Sequence, residues 1–531
     1  MNTTEKEFQS FLENFIPPVA VAEKRSALAE WGLYTNKSEE AEKECVNATM
    51  AHEMLFTDRQ IYEELTSYQR SKEIKDLLLK RQLDGLVRAF KGSMLPPELI
   101  EEMALIHSEL EGVFAGFRPV LDGKEISDND LKLILENEKD IGLRKRAWEA
   151  SKQVGLAVAP LGLQMVHLNN KAARHLGYPN YFRMALELDE LDIRTIFGFF
   201  DQQLVRSEEH WRQTSGQIRS ELAKKFSVPE SEIGPWAWSD PFGHEDPLVD
   251  HGSCNKILDG RDVMADVTRF YESMGFEIRP ILARSDLYER PNKHQHAFCF
   301  SMDRGQDVRI LANVKATWYW FDTMFHESGH AVHDISLDQS LPWLLRTCSH
   351  TITTEAAAGI PEYYGNHGPT IKTLLRLSDE WDPILNEITG GYKRAQLLFS
   401  RWGNVVTRFE QALYEEPGQN LQNLWWSLVE RYQNIRRPAG RENAADWACK
   451  VHITTSPGYY QNYLLAYVMA SQVRAKLRDV TKSQTIFNEK AAGDFLKNNF
   501  FALGDAYPWY ELVEKITGKP LSVDDWIKEI S

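Results

Sequence analysis

The chain has 531 residues, of which 43% are apolar, 11% aromatic and 26% charged, so it can bury a large core and is neither disordered nor low in complexity. Its 77 acidic residues against 61 basic ones give a formal net charge of −16, which opposes non-specific binding to phosphate backbones and anionic membranes, and no nucleic-acid partner is expected. Five scattered cysteines, Cys45, Cys254, Cys299, Cys348 and Cys449, form no C-x-x-C pair, which argues against a disulfide framework or thiolate metal site and for a reducing compartment.

The N-terminal MNTTEKEFQSFLENF has no basic stretch followed by an apolar one, and the most apolar run, Leu156 to Val166, is short and contains Pro160. A cytoplasmic protein without a membrane span is expected. From residue 5 to about 115 the sequence is charged and helix-periodic, predicting long antiparallel helices interrupted at Pro17-Pro18 and Pro96-Pro97. A second helical stretch runs to about residue 228, and PWAWSDPFGHEDPLVDHG then brings Pro, Gly, Asp and His together without periodicity, reading as a long functional loop. Between about 294 and 315, HAFCFSMD alternates, RGQ turns and DVRILANV is β-branched and apolar, which predicts a hairpin. Helical periodicity returns at Trp318 and is broken at Gly365-Gly368, Pro417-Gly418 and RRPAGREN. The whole reads as mainly α with one small sheet and no fixed-period repeat.

The sharpest local feature is His326-Glu327-Ser328-Gly329-His330, an H-E-x-x-H motif in a helix-compatible run. Spacing i, i+4 stacks His326 and His330 on one helix face, so two imidazoles can reach one metal with Glu327 beside it. A zinc ion held by three protein ligands keeps a position for water, and a neighbouring carboxylate can take that water's proton; Glu327 is placed to be the base. Gly329 costs a helix about 1 kcal/mol relative to Ala, which close approach of another backbone or a ligand would explain. Six residues after His330 stands Ser336, not the third histidine of the metzincin pattern, so that class is out, and a carboxylate from a second helix is the other solution. In SHTITTEAAAGIPEYY, Glu355 follows His330 by 25 residues and precedes thin Ala356, Ala357, Ala358 and Gly359, which would let two helices pack closely; it is the first candidate for third ligand and Glu362 the second.

These blocks together resemble the angiotensin-converting enzyme family of zinc peptidases, the gluzincin type with H-E-x-x-H and a distant Glu, with a fainter likeness to thimet oligopeptidase relatives. LWWSLVERYQNIRRP is similar to that family's W-W-x-L-x-x-x-Y-Q stretch, KVHITTSPGYYQNY to its K-x-H segment followed by Y-x-x-Y, and HAFCFSMDRGQDVRI to its hairpin ending in G-x-D-x-R-I. AEWGLYTN and HLGYPNYF extend a weaker similarity towards the N-terminus.

The resemblance implies one zinc-peptidase domain over 1–531: a mainly α helical ellipsoid with a deep central groove, a small sheet beside the active-site helix, a helical lid over about 1–115 and a catalytic core over about 294–472. It implies one Zn2+ on His326, His330 and Glu355, short peptides as substrates, release of C-terminal dipeptides as the activity, and a monomer or weak homodimer. Position by position, Tyr463 resembles the tyrosine that stabilises the oxyanion and His452 the histidine that donates to the tetrahedral intermediate. His296 resembles the hairpin histidine that binds a substrate carbonyl, Ala297 and Cys299 offer backbone hydrogen bonds to an extended peptide, and Lys450 and Tyr460 match the pair that grips the terminal carboxylate.

Four departures stand beside this likeness. Pro235-Trp236-Ala237-Trp238-Ser239 lacks the carboxylate-binding glutamine of the family's W-A-Q-T-W-S segment. Asn462 stands where the family has a chloride-binding arginine, so chloride activation through it is not expected. TTSPGYY is one residue longer than its counterpart. Gly359 occupies the position of the aspartate that orients a metal histidine, so another side chain must hold the imidazoles. An oligoendopeptidase or one-residue carboxypeptidase on the same scaffold, and a non-catalytic zinc or peptide-binding protein, are the competing readings.

Overall fold

Asn2 starts the first helix with a capping box: its side-chain oxygen accepts the Glu5 N–H, and the Glu5 carboxylate accepts the Asn2 N–H, both at 2.9 Å. Phe8, Leu12, Phe15 and Val19 then recur at three- and four-residue spacing and are all buried. The helix runs Thr3–Thr35 unbroken, which corrects the interruption expected at Pro17-Pro18. Each interior proline costs about 3 kcal/mol or more, but burying four such side chains contributes about 1.5–3 kcal/mol apiece, so packing outweighs the two lost backbone bonds. The break at Pro96-Pro97 does occur: one helix ends at Ser93 and the next begins at Pro97, where a missing N–H is harmless.

The computed structural model describes residues 1–531 apart from the side chain of His251. Its fold is mainly α, with two separate two-stranded antiparallel sheets among the described residues. The chain divides into two compact units, Met1–Met94 with Asp250–Thr389 and Ala466–Asp525, and Leu95–Val249 with Gly390–Leu465 and Trp526–Ser531. None of the described helices is long and apolar enough to cross a membrane.

In the first unit, the helices Thr3–Thr35, Arg59–Ser71 and Leu77–Ser93 share one apolar cluster that includes Phe8, Phe15, Leu65, Leu83 and Phe90. The expected hairpin is present: Phe298–Ser301 pairs with Val308–Leu311 in the register Cys299 to Ile310 and Phe300 to Arg309. Arg304 turns the chain at φ 52°, and its guanidinium makes a two-point ion pair with Glu23 of the first helix at 2.6 and 2.8 Å. Trp31 and Tyr34 of that helix pack against Phe300.

The second unit carries a hairpin that periodicity missed, Val120–Leu121 with Lys124–Glu125. Its turn is Asp122-Gly123, with φ of 50° and 80°, and Asp-Gly is the two-residue turn signal that could have revealed it. The expected functional loop is also in this unit as far as Val249. Arg144, almost fully buried, donates to the carbonyls of Trp236, Ala237 and Trp238 at 3.0, 3.1 and 2.9 Å and so fixes its start.

Candidate metal centre

Thr317 caps a helix over Trp318–Ile335, and Trp318, Phe321, Met324, Phe325, Ala331 and Val332 bury its inner face. The carbonyl of Phe325 accepts the buried Tyr271 hydroxyl at 2.5 Å, which pins the turn before His326. A second helix, Thr351–Gly365, crosses it closely at Gly329: a Cβ there would lie 2.7 Å from Ala358 Cα and 2.9 Å from Pro361 Cγ. Gly329 is therefore a close-packing residue. Gly329→Ala forces the two helices apart, and a loss of about 1–3 kcal/mol in a denaturant titration, with weakened metal binding, is the expected result.

Across this contact His326, His330 and Glu355 come together, each offering one ligand atom, all within 4.8 Å of one another. His326 Nε2 lies 3.1 Å from His330 Nε2 and 3.6 Å from Glu355 Oε2. Two ligands of a tetrahedral zinc with bonds of about 2.0–2.1 Å lie about 3.3 Å apart, so the two separations from His326 have the spacing for that ion. The other ring nitrogens are occupied: His326 Nδ1 is 2.7 Å from Glu362 Oε2, and His330 Nδ1 is 2.8 Å from Thr354 Oγ1. With Nδ1 of His326 on the Glu362 carboxylate and Nδ1 of His330 on the Thr354 hydroxyl, both Nε2 atoms and a carboxylate oxygen are left facing one another, a set that can hold a cation.

The electrostatics make the same demand. Burial disfavours charge on His326, but Glu362 first, then Glu355 and Glu327, outweigh it and raise its pKa to about 10. Burial and the neighbouring His326 hold His330 well below its ordinary value, so the pair accommodates one positive charge and not two. Burial likewise pushes Glu327 up to about 7; His326 opposes the shift, Glu355 and Glu362 add to it.

Glu362, the second candidate for third ligand, has a different place: its carboxylate orients His326. It stands seven residues after Glu355, two turns along the same helix face, and does what the absent carboxylate at Gly359 would do. Asp322 lies behind it, and burial and Glu362 push Asp322 up to about 7. Glu362→Gln keeps the shape but loses the charge on Nδ1, and zinc affinity in a competition titration should fall about 10- to 100-fold.

The expected substrate residues fall in both units. In the first, His296 and Ala297 lead into the Phe298–Ser301 strand, which packs beside the metal helix and carries Cys299. The His296 N–H donates to His294 Nδ1 at 3.1 Å, and Asn313 Nδ2 donates to the carbonyls of His294 and Gln295 at 2.9 and 3.1 Å, so the approach to the strand is fixed. Burial raises the Cys299 thiol well above its ordinary pKa, so its side chain is an inert neutral wall.

In the second unit Lys450, His452, Tyr460 and Tyr463 gather. The His452 and Tyr460 rings are 5.3 Å apart, those of Tyr460 and Tyr463 5.8 Å, and the Lys450 ammonium lies 5.7 Å from the Tyr460 ring centre. Burial, then Lys450 and His244, lower His452 to about 4, so it is a neutral imidazole at pH 7. Sequence reading did not find the aromatic wall that the ammonium also faces, Phe242 and Trp402, nor the buried Asp240 whose carboxylate holds His244 Nδ1 at 2.6 Å. The D-P-F-G-H run within the expected functional loop is the one signal of Asp240, Phe242 and His244, and Trp402, on the helix Asp382–Glu415, has none.

A sequence profile of Peptidase family M3 matches residues 282–531, and one described as Angiotensin-converting enzyme matches residues 2–209. Angiotensin-converting enzyme of Oryctolagus cuniculus is 22% identical over 563 positions, covering 98% of this chain. That of Haematobia irritans exigua is 25% identical over 502 positions, covering 83% of this chain and 79% of the relative. The chain is similar to the angiotensin-converting enzymes and, over its C-terminal half, to family M3, both of them metallopeptidase families. It spans about two fifths of the length of the Oryctolagus cuniculus relative, 42%, and about a third of that of Sus scrofa, 31%. The two profiles match different stretches of the chain: the helix carrying His326 and His330, its partner helix and the K-x-H segment all lie in the stretch that family M3 matches.

Proposed function

We propose that the chain is a zinc-dependent peptidase that acts on short peptides and releases C-terminal dipeptides. The observation that carries this reading is the convergence of His326, His330 and Glu355 with Glu327 on the adjoining turn. A zinc ion held there supplies Lewis acidity at the scissile carbonyl and eases ionisation of the attacking water. Glu327 takes the proton of that water and passes it to the leaving amine, and a carboxyl group that titrates near neutrality is suited to both transfers. Glu362 and Thr354 hold the two imidazoles in the tautomer that leaves Nε2 for metal.

The remaining roles belong to the same proposal. The backbone at Ala297 and Cys299 pairs with an extended peptide, and His296 binds a carbonyl near its C-terminus. Tyr463 donates to the oxygen on which negative charge develops, and His452, neutral by its depressed pKa, donates an N–H to the substrate. Lys450, which makes no ion pair with any described carboxylate, and Tyr460 hold the terminal carboxylate. Tyr463→Phe removes a donor used mainly in the transition state, so kcat should fall about 10²- to 10³-fold with KM little changed in steady-state assays.

One observation favours a second reading on the same scaffold. The missing glutamine at Pro235–Ser239 weakens recognition of a free C-terminus, which an oligoendopeptidase does not need. Free and C-terminally amidated peptides of about five to twelve residues, digested with and without chelator followed by zinc restoration, separate the readings by product mass. Successive dipeptide loss from free peptides alone supports the proposal. Internal cuts in both sets support the oligoendopeptidase, and absence of cleavage overturns both in favour of a binding protein.

A further inference from the structure

The helix Asp382–Glu415 carries a carboxyl group that none of these roles uses. Glu410 is fully buried; its Oε2 accepts the Gly458 N–H at 3.3 Å, and its Oε1 has no partner among the described residues. One neutral donor is far short of what an ionised carboxylate needs in such a place.

The peptide that Glu410 touches launches the helix Tyr460–Thr481, on which Tyr460 and Tyr463 stand. Gly458 has φ of 79°, a conformation side-chain-bearing residues rarely adopt. Its N–H is held by Glu410, and its carbonyl accepts from the buried Gln461 amide, so this residue is clamped on both sides just before the helix begins. We infer that Glu410 is a positioning residue for Tyr460 and Tyr463, acting through the Gly458 peptide and not on substrate. The inference rests on the proposed roles of those two tyrosines.

Its protonation state gives the clamp a signature. Burial pushes Glu410 up to about 8, and the Gly458 N–H pulls back against that shift. The titratable groups that face it are Tyr181 on the helix Tyr181–Leu188, Tyr414 on its own helix and Tyr460 on the helix it supports, and burial raises the pKa of each. No charged side chain contributes to its shift. At neutral pH Glu410 is therefore an uncharged acid. Because its pKa in the closed loop lies above the ordinary carboxyl value of about 4.3, opening the loop to water releases a proton throughout the window from about 4.3 to 8. The stability of the closed loop is complete below that window and is lost as pH rises through it.

The test is hydrogen exchange, followed by mass spectrometry, of peptides covering residues 456–463 in the full chain, alongside peptide hydrolysis. In the wild type, protection corrected for the intrinsic chemical rate should fall up to about 100-fold between pH 6 and 8, and in Glu410→Gln, which keeps an acceptor but cannot ionise, it should not change with pH. Glu410→Leu, which has no acceptor, should lose protection in this segment at every pH, lower kcat at least about tenfold through Tyr463 and raise KM through Tyr460, and Glu410→Gln should retain both constants. Equal pH dependence of protection in wild type and Glu410→Gln, or full protection in Glu410→Leu, overturns the inference. A wild type that cleaves nothing defeats the proposed function, while the exchange measurement still decides whether Glu410 holds Gly458.

Discussion

Glu327→Gln leaves the metal in place and stops hydrolysis. The amide has the carboxylate's shape and cannot take a proton, so the change isolates base catalysis from packing in a side chain that sits between the metal helix and the strand carrying Cys299. General-base catalysis contributes about 10²- to 10⁴-fold, and a fall in kcat of that size with one zinc per chain, measured by product formation and elemental analysis, is the expected outcome. More than a tenth of wild-type activity in the variant would remove Glu327 from the role. A lost metal would instead mean that its carboxylate helps to hold the ion.

His330→Ala loses the metal itself. Only His326 and Glu355 remain, and two ligands do not hold zinc against a competing chelator as three do. The variant also leaves Thr354 without the ring nitrogen it meets at 2.8 Å, so the second helix loses an anchor as well as a ligand. Elemental analysis should give far less than one zinc per chain, with helical circular dichroism preserved. One retained zinc would refute the ligand set.

The parts of this centre that depend on local spacing were legible in the sequence. The run from Trp318 onward folds as the helix Trp318–Ile335, and the alternating segments fold as the hairpin Phe298–Ser301 with Val308–Leu311, because each is specified by period, cap and turn within about twenty residues. The extra cost of Gly329 in a helix pointed to close packing, and the contact with Ala358 is its cause. What escaped depends on how separated segments meet. Glu362 could be read as a spare ligand because nothing in the sequence states which face of its helix turns to Nδ1 of His326; the approach at Gly329 settles that. Pro17-Pro18 reads as a break because the propensity of two prolines is local, whereas the packing of Phe8, Leu12, Phe15 and Val19 that overrides it is not. The Asp122-Gly123 hairpin is too short for any periodicity to register, and only its turn dipeptide gave a sign.

The close crossing at Gly329 makes the centre a two-piece cassette. Both histidines and the base ride on one segment of 18 residues, while the third ligand and both side chains that steer the imidazoles, Thr354, Glu355 and Glu362, ride on another of 15. Every candidate ligand, and each side chain that meets a ring nitrogen behind it, is thus supplied by a single helix pair joined by a short connection. Such a helix pair can be kept as a unit while the surrounding walls differ, and here the three candidate ligands come together although Pro235–Ser239 lacks a glutamine.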